Sequence, residues 1–454
     1  MRGRVALVRP LCLGEGLEFQ EPLGAEALAG YGRSLGFDCQ VFDRQLDARL
    51  GRDALAAIRA YDPDYLGFSL MSAGEAPDAL QLWQLLKQPG RRCWAGGLFV
   101  TTDWARARAL FPEDATLIRG EGEGALAALL LGQPLPREPL HPDAWARPSR
   151  DRLDQYLGLG GAINLRASRG CGGNCAFCAT PGLPGPTHTP RDIPLVVAEM
   201  AALAERYPPI FNFVDDDFGP LSRLEALTAA LRERGLQAAF SLELRPGQLC
   251  QAGLEDLKRW RGAGLCRIFT GLENLDPATL RRWGKPLDTT AVLQALGRCR
   301  AAGIETAAGY ILWHDQSSPE AALAQMAILR EQGLLNPKAA LSRLILFPGS
   351  RLYQALGNEG PARPMALPPR AAAAYRDLAQ LLSPLLPLWV QAAGLLPNAC
   401  CRQHLAGGDE AERLKKLLAA MDAQCHRAVF QGQVPDISQI REDLHAFCAA
   451  GYGS

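Results

Sequence analysis

The sequence predicts an α/β protein made of two successive β/α series followed by a helical tail. Three observations lead there. Short apolar runs of strand length alternate with segments of helical spacing up to about residue 132. A second series of the same kind begins near Ala162, and after Pro361 the composition turns to Ala- and Leu-rich stretches broken by prolines.

In the first series, residues 5–8, 39–42, 65–70, 93–96 and 116–118 read as short buried strands. Between them Leu28, Tyr31 and Leu35, or Leu55 and Ile58, recur at helical spacing, and Gly36, Pro63 and the Pro89-Gly90 pair supply helix stops. Five strands with intervening helices imply a doubly wound parallel sheet over residues 1–132, its ligand crevice at the carboxyl ends of the strands. Pro134, Pro136, Pro139, Pro142 and Pro148 then mark residues 133–160 as a linker. The second series, residues 161–360, has strands at 162–167, 210–214, 239–244, 267–271, 306–312 and 344–347, with helix-like segments such as 194–207 and 221–234. Its chemistry is expected at the carboxyl ends of strands, as in β/α barrels. Helices over 371–386, 410–430 and 437–450 complete a helical cap spanning 361–454.

Composition narrows the function classes. A chain of 454 residues accommodates two or three domains. Lys plus Arg and Asp plus Glu balance at 48 each, so no global field draws it to nucleic acid or an anionic membrane. Arg9 and Pro10 interrupt the first apolar run well short of a signal segment, and no run of eighteen apolar residues is present to span a bilayer. Thirteen cysteines without a paired framework fit a reducing compartment, and a cytoplasmic location is expected.

One segment carries chemistry. In Arg166-Ala-Ser-Arg-Gly-Cys171-Gly-Gly-Asn-Cys175-Ala-Phe-Cys178, three cysteines stand at i, i+4 and i+7 in a glycine-rich loop after an apolar run. Zinc would want four ligands in recognisable pairs, and the next candidates are His188 and Cys250. A [4Fe–4S] cluster normally takes four cysteines, so three leave one iron open to a small molecule. The spacing, with Phe177 before the last cysteine, resembles the signature of the radical S-adenosylmethionine (radical SAM) enzymes. The resemblance implies a [4Fe–4S] cluster on Cys171, Cys175 and Cys178, SAM chelated on the open iron, and reductive cleavage of SAM to a 5′-deoxyadenosyl radical.

Further segments resemble the branch of that family with an N-terminal cobalamin-binding domain: Glu21-Pro-Leu-Gly24, Gly67-Phe-Ser-Leu-Met-Ser72, Gly96-Gly97, Arg119-Gly-Glu-Gly-Glu123, Phe213-Val-Asp-Asp-Asp-Phe-Gly219, Ser241-Leu-Glu-Leu-Arg245, Thr270-Gly-Leu-Glu-Asn274, Gly284-Lys285-Pro286 and Phe347-Pro-Gly-Ser350. The resemblance covers about residues 3–355. It implies a Rossmann-like cobalamin domain, a partial (β/α)6 barrel and a helical cap. Ser69, Ser72, Gly96, Gly97 and Glu121 would then serve cobalamin, tight turns being the alternative for the glycines. Phe177, Asp216, Glu243, Arg245 and Glu273 would serve SAM, against a Glu243–Arg245 ion pair or a helix-capping role for the aspartates. Tyr310, His314 and Asp315 could orient substrate or move its proton, a buried structural histidine being the alternative for His314.

The sequence departs from many cobalamin domains at one point. The Asp-x-His-x-x-Gly motif is replaced by Leu11-Cys-Leu-Gly-Glu-Gly16, and no histidine precedes His141. Either cobalamin binds base-off and without a histidine ligand, leaving the lower face to water or a nearby side chain, or the domain has lost cobalamin; the resemblance to His-less methylases of this branch favours the first. The function implied is methyl transfer from SAM through methylcobalamin to a carbon of a small-molecule or peptide substrate, by a radical or a polar route, with an electron donor such as flavodoxin or ferredoxin. Cobalamin-dependent cyclisation or rearrangement, a methylthiotransferase acting on RNA or protein, and a non-catalytic carrier are the alternatives. Neutral charge and a helical tail do not favour RNA.

Overall fold

The structure is a computed structural model and describes residues 2–12, 20–136, 140–185, 187–357 and 360–451. It divides into two units, one of Met1–Asn164 with Ala179–Asp192 and Pro348–Pro361, the other of Leu165–Cys178 with Ile193–Phe347 and Ala362–Ser454.

In the first unit the strands bury both faces. Val5 and Leu7 of Arg4–Arg9 pack with Cys39, Val41, Trp94 and Leu126, whereas Ala6 and Val8 pack with Ile58, Phe68, Trp83 and Val100. Helices on both sides explain why the strands read as continuous apolar runs rather than alternating ones. The five parallel strands Arg4–Arg9, Asp38–Asp43, Tyr65–Ser69, Arg92–Gly96 and Thr116–Leu117 match the expected set and lie in the order 2-1-3-4-5. The order reverses at the first strand, so the crevice of this doubly wound sheet opens beyond the carboxyl ends of strands one and three.

Residues 133–160 hold more structure than a proline-rich linker suggests. Arg150 pairs with Glu21, Arg152 with Asp47, and the Tyr156 hydroxyl donates to Asp43 from the helix Leu153–Gly158. Glu21, Asp43 and Asp47 are all buried, and buried carboxylates need such partners.

In the second unit Ile163–Leu165, whose last residue opens the unit, Ile210–Phe213, Ala239–Glu243, Leu265–Glu273 and Glu305–Tyr310 form a five-stranded sheet in which each strand lies beside its predecessor. This is the partial barrel, with one correction. The expected sixth strand joins only through an isolated parallel bridge between Trp313 and Arg343, after which Ile345–Leu346 pairs antiparallel with Arg363–Pro364. Pro348 follows closely, and proline cannot extend a ladder.

The tail contains four helices: Pro369–Leu382, Leu386–Ala406, Glu410–Gln431 and Ser438–Gly451. Prolines 387 and 397 hid the second of these from the sequence. Pro387 stands in the first turn, where no intrahelical N–H is lost, while Pro397 lies inside the helix. Burial of Ala392, Leu396, Ala399, Cys400 and Cys401 as this helix packs on the central barrel strands and on Glu410–Gln431 offsets the lost bond. Among the described residues no single helix is long and apolar enough to cross a membrane; Pro369–Leu382 and Leu386–Ala406 pass that test only together and are bent by 72°.

Candidate functional site

The cysteine loop leaves the first strand of the half barrel and is anchored before it begins. Asp215, just after Ile210–Phe213, accepts the Ala167 N–H at 2.9 Å and the Ser168 N–H, and the Ser168 hydroxyl lies 2.8 Å from the same oxygen. Burial pushes the Asp215 carboxyl up to about 6, against the pull of these hydrogen bonds. Asp217 is buried as well, forms an ion pair with Arg245 at 2.7 Å and accepts the Gly219 N–H at 3.0 Å, whereas Asp216 between them is exposed. Alternation along the chain thus turns two aspartates into the fold and leaves one outside.

Cys171, Cys175 and Cys178 are outside any disulfide and of intermediate exposure. Burial, opposed by the Gly173 N–H that donates to its sulfur at 3.3 Å, pushes the Cys171 thiol up. A Cβ on Gly173 would lie 3.3 Å from the Cys171 Sγ and 3.9 Å from the Cys175 Sγ, and one on Gly172 would lie 3.6 Å from the Arg245 guanidinium. Gly173 therefore keeps clear the space between the Cys171 and Cys175 thiols, and Gly172 leaves room beside Arg245. Among the described residues no group of three or more His, Cys, Asp or Glu is placed to hold a single metal ion. Thiolates on a cubane bind different irons, so they need not converge on one point.

Around the loop the remaining carboxylates are held apart. Glu243 ends its strand, and burial together with Asp216 pushes its carboxyl up to about 7. It forms no pair with Arg245, whose guanidinium faces Asp217 instead. Glu273 has φ +62 at an irregularity in the strand register and pairs with Lys285 at 2.7 Å. Its carboxylate folds back over Gly271, where a Cβ would lie 2.1 Å from Oε1 and 2.5 Å from the Lys285 Nζ. A non-glycine residue held at positive φ is a local strain of the kind that collects at functional sites.

Of the three residues expected to face substrate, His314 and Asp315 lie together on Arg282, with the His314 Nδ1 3.7 Å from the Asp315 carboxylate, while Tyr310 makes a separate contact. The Tyr310 hydroxyl donates to Gln325, and burial pushes its phenol up. Asp315 accepts both arms of Arg282 at 2.6 and 2.7 Å, which holds its carboxyl below the usual range. His314 is buried, edge-on to Trp283, with its pKa moved down by burial and by Arg282. Phe177 also meets Trp283, at 5.5 Å between ring centroids. The Asp215-Asp216-Asp217 run is legible in the sequence as a candidate to hold SAM or substrate or to cap the following helix, whereas Trp283 carries no such signal and Lys285 carries one, the Gly284-Lys285-Pro286 segment.

In the first unit, Gly97 has φ +103, and a Cβ there would lie 2.4 Å from the Leu70 carbonyl oxygen. Gly96 has ordinary room, its nearest contact being Ile118 at 3.4 Å. Ser69 ends its strand; the Ser72 N–H donates to buried Glu75 at 3.3 Å, and the Ser72 hydroxyl lies 3.5 Å from the Cys12 sulfur. Glu121 sits at the N-terminus of the helix Gly122–Leu131. Met71 and Leu98 are exposed by 52% and 38% at this same carboxyl edge, an apolar rim around a glycine turn that suits a large planar ligand. Residues 13–16 of the histidine-free loop lie outside the described residues.

Residues 15–130 match the B12 binding domain, and residues 165–327 match the Radical SAM superfamily. The chain belongs to the radical SAM proteins that carry a B12-binding domain. Membership implies a [4Fe–4S] cluster, SAM and cobalamin. This B12-binding radical SAM protein is 26% identical over 321 residues to the hopanoid C-3 methylase of Methylococcus capsulatus, covering 64% of this chain and 61% of that one. It is 28% identical over 206 residues to the hopanoid C-2 methylase of Rhodopseudomonas palustris, covering 43% and 38%. It thus spans about three fifths of the first relative and less of the second. Among solved structures it resembles the cobalamin-dependent SAM radical enzyme OxsB with aqua-cobalamin and SAM bound, at TM-score 0.77 and 15% identity, over 99% of this chain and 75% of that one. The radical SAM methyltransferase TsrM from Kitasatospora setae follows at 0.62 and 18%, over 77% and 76%. At these identities the structures establish the fold.

Proposed function

We propose that this chain is a cobalamin-dependent radical SAM methyltransferase that moves a methyl group from SAM to a carbon of a small-molecule or peptide substrate. The observation that carries the reading is the cysteine loop: three half-exposed thiols on one anchored turn, with Gly173 clearing the space between two of them, in a chain that also holds a B12 domain. When bound, the cluster supplies the electron that cleaves SAM, and cobalamin carries the methyl group. Cys171, Cys175 and Cys178 would hold the cluster. Arg245, fixed by Asp217, presents a cation beside Gly172, where a carboxylate of SAM would be welcome. Glu243, with a carboxyl near neutrality, suits a hydroxyl or ammonium partner, and a cation beside it would draw its pKa back down. Phe177 and Trp283 wall the loop with aromatic surface.

In the first unit Gly97 and the exposed Met71 and Leu98 suit the corrin and its tail, bound base-off, with no imidazole beneath the cobalt, since no histidine precedes His141. The relatives named as methylases of hopanoid C-3 and C-2 support carbon as the methyl acceptor.

Anaerobic reconstitution with iron, sulfide and hydroxocobalamin tests the reading. About four irons per chain and a base-off corrinoid spectrum are expected. Replacing Cys171, Cys175 and Cys178 by Ala should abolish the iron while sparing the corrinoid. Reduction with SAM present should then yield 5′-deoxyadenosine and S-adenosylhomocysteine. A wild-type chain that takes up no corrinoid, or a triple variant that keeps full activity, would refute it.

A further inference from the structure

The segment between the second and third cysteines is gripped from outside the motif. The Ala176 N–H donates to the Trp283 carbonyl at 2.7 Å. The neighbouring Phe177 ring meets the Trp283 ring edge to face, at 5.5 Å and 73°. Behind it the His314 ring stands against Trp283 at 5.2 Å and 79°. Trp283 is fully buried, so the three rings form one continuous wall.

That wall is set by local structure that owes nothing to the cysteines. Asp276 caps the helix Pro277–Arg282 by accepting the Ala278 and Thr279 N–H groups at 3.2 and 2.9 Å. The Trp283 N–H closes the last turn on Thr279 at 3.0 Å, and Gly284, at φ +66, turns the chain away. Arg282, one residue earlier, clamps Asp315 and so holds the segment carrying His314. Trp283 is thus placed from one side by its helix and from the other by the His314 segment.

We propose that Trp283 is a positioning residue for the cysteine loop, fixing the path from Cys175 to Cys178 before any cluster is present, with His314 as its backing. The inference rests on the proposed function for what the loop binds, but not for how the loop is held. Its chemical basis is that edge-to-face ring contacts fix angle as well as distance, and so hold the Ala176 N–H on the Trp283 carbonyl, where it is protected from exchange. Trp283→Ala removes both ring contacts, Trp283→Phe keeps an aromatic edge, and Trp260→Ala, in the helix Leu254–Gly262, is a control for loss of a buried indole elsewhere.

Hydrogen exchange on the cluster-free chain gives the first readout. Exchange in the peptide containing Ala176 should quicken at least tenfold in Trp283→Ala and stay within about threefold of wild type in Trp283→Phe and Trp260→Ala. Release of iron from the reconstituted protein to a chelator gives the second, with the same order and a tenfold faster loss in Trp283→Ala. Unchanged exchange at Ala176 in Trp283→Ala, or equal acceleration in Trp260→Ala, overturns the assignment. A wild-type chain that binds no iron overturns the proposed function instead, and leaves the exchange result to stand or fall by itself.

Discussion

Removing the Asp215 side chain should loosen the entry to the cysteine loop more than any change in the cysteines themselves. Asp215 is 3% exposed, and its Oδ1 takes the Ala167 N–H, the Ser168 N–H and the Ser168 hydroxyl. Asp215→Ala leaves the two N–H groups facing an apolar gap, while the Ser168 hydroxyl keeps the Asp217 carbonyl at 2.8 Å. Each orphaned donor costs roughly 1–3 kcal/mol, and relief from burying a charge returns part of the total. The net loss should be about 3 kcal/mol, which at a urea slope of roughly 3 kcal/mol per M moves the midpoint down by about 1 M. Asp215→Asn is the informative partner. It keeps an acceptor at Oδ1 and carries no charge, and a carboxyl already pushed up to about 6 has little to lose by neutrality. It should fall within about 1 kcal/mol of wild type. The assay is urea unfolding of the cluster-free chain at pH 7.5, followed by circular dichroism. An Ala variant as stable as wild type, or an Asn variant as damaged as Ala, refutes the anchoring argument.

The adjacent glycines of the first unit should behave differently. Gly97→Ala meets both a positive φ and the Leu70 backbone, so it should cost on the order of 2–4 kcal/mol and weaken corrinoid uptake more than tenfold, while Gly96→Ala should cost less than about 1 kcal/mol. Equal effects in a binding titration would contradict this. In the tail, burial pushes the Asp422 carboxyl up to about 7, against the Trp389 N–H that donates to it at 2.9 Å. A folded pKa raised above the unfolded value of about 3.9 means that its contribution is complete below pH ~4 and is lost as pH rises through about 7. A shift of about three units corresponds to at most roughly 4 kcal/mol. Asp422→Asn should therefore gain on wild type between about pH 4 and 7 and level off above that in thermal unfolding, and parallel curves would show that Asp422 does not titrate in this window.

The periodicity of the chain made most of the fold legible. The five strands of the first sheet are legible in the sequence because burial on both faces leaves short apolar runs, broken in Asp38–Asp43 by the exposed Gln40. The helix Leu386–Ala406 did not, because proline is a local signal and the packing that overrides it is not. The sixth barrel strand is present at Ile345–Leu346 where the apolar residues placed it, but its pairing depends on where Pro348 and Arg363–Pro364 come to lie.

At the site the division is similar. By itself the sequence determined the donor set, since the spacing of Cys171, Cys175 and Cys178 is a property of one short loop, and it ordered the two β/α series around that loop. Tertiary structure decided which neighbours matter. In the run Asp215-Asp216-Asp217 the sequence presents three equal carboxylates, and only the fold buries the outer two and exposes the middle one. It brought Trp283 against Phe177 and Lys285 onto Glu273. Ligand spacing is written along the chain, whereas the contacts that hold the ligands in place join residues far apart in it and exist only once the barrel strands have closed beside one another.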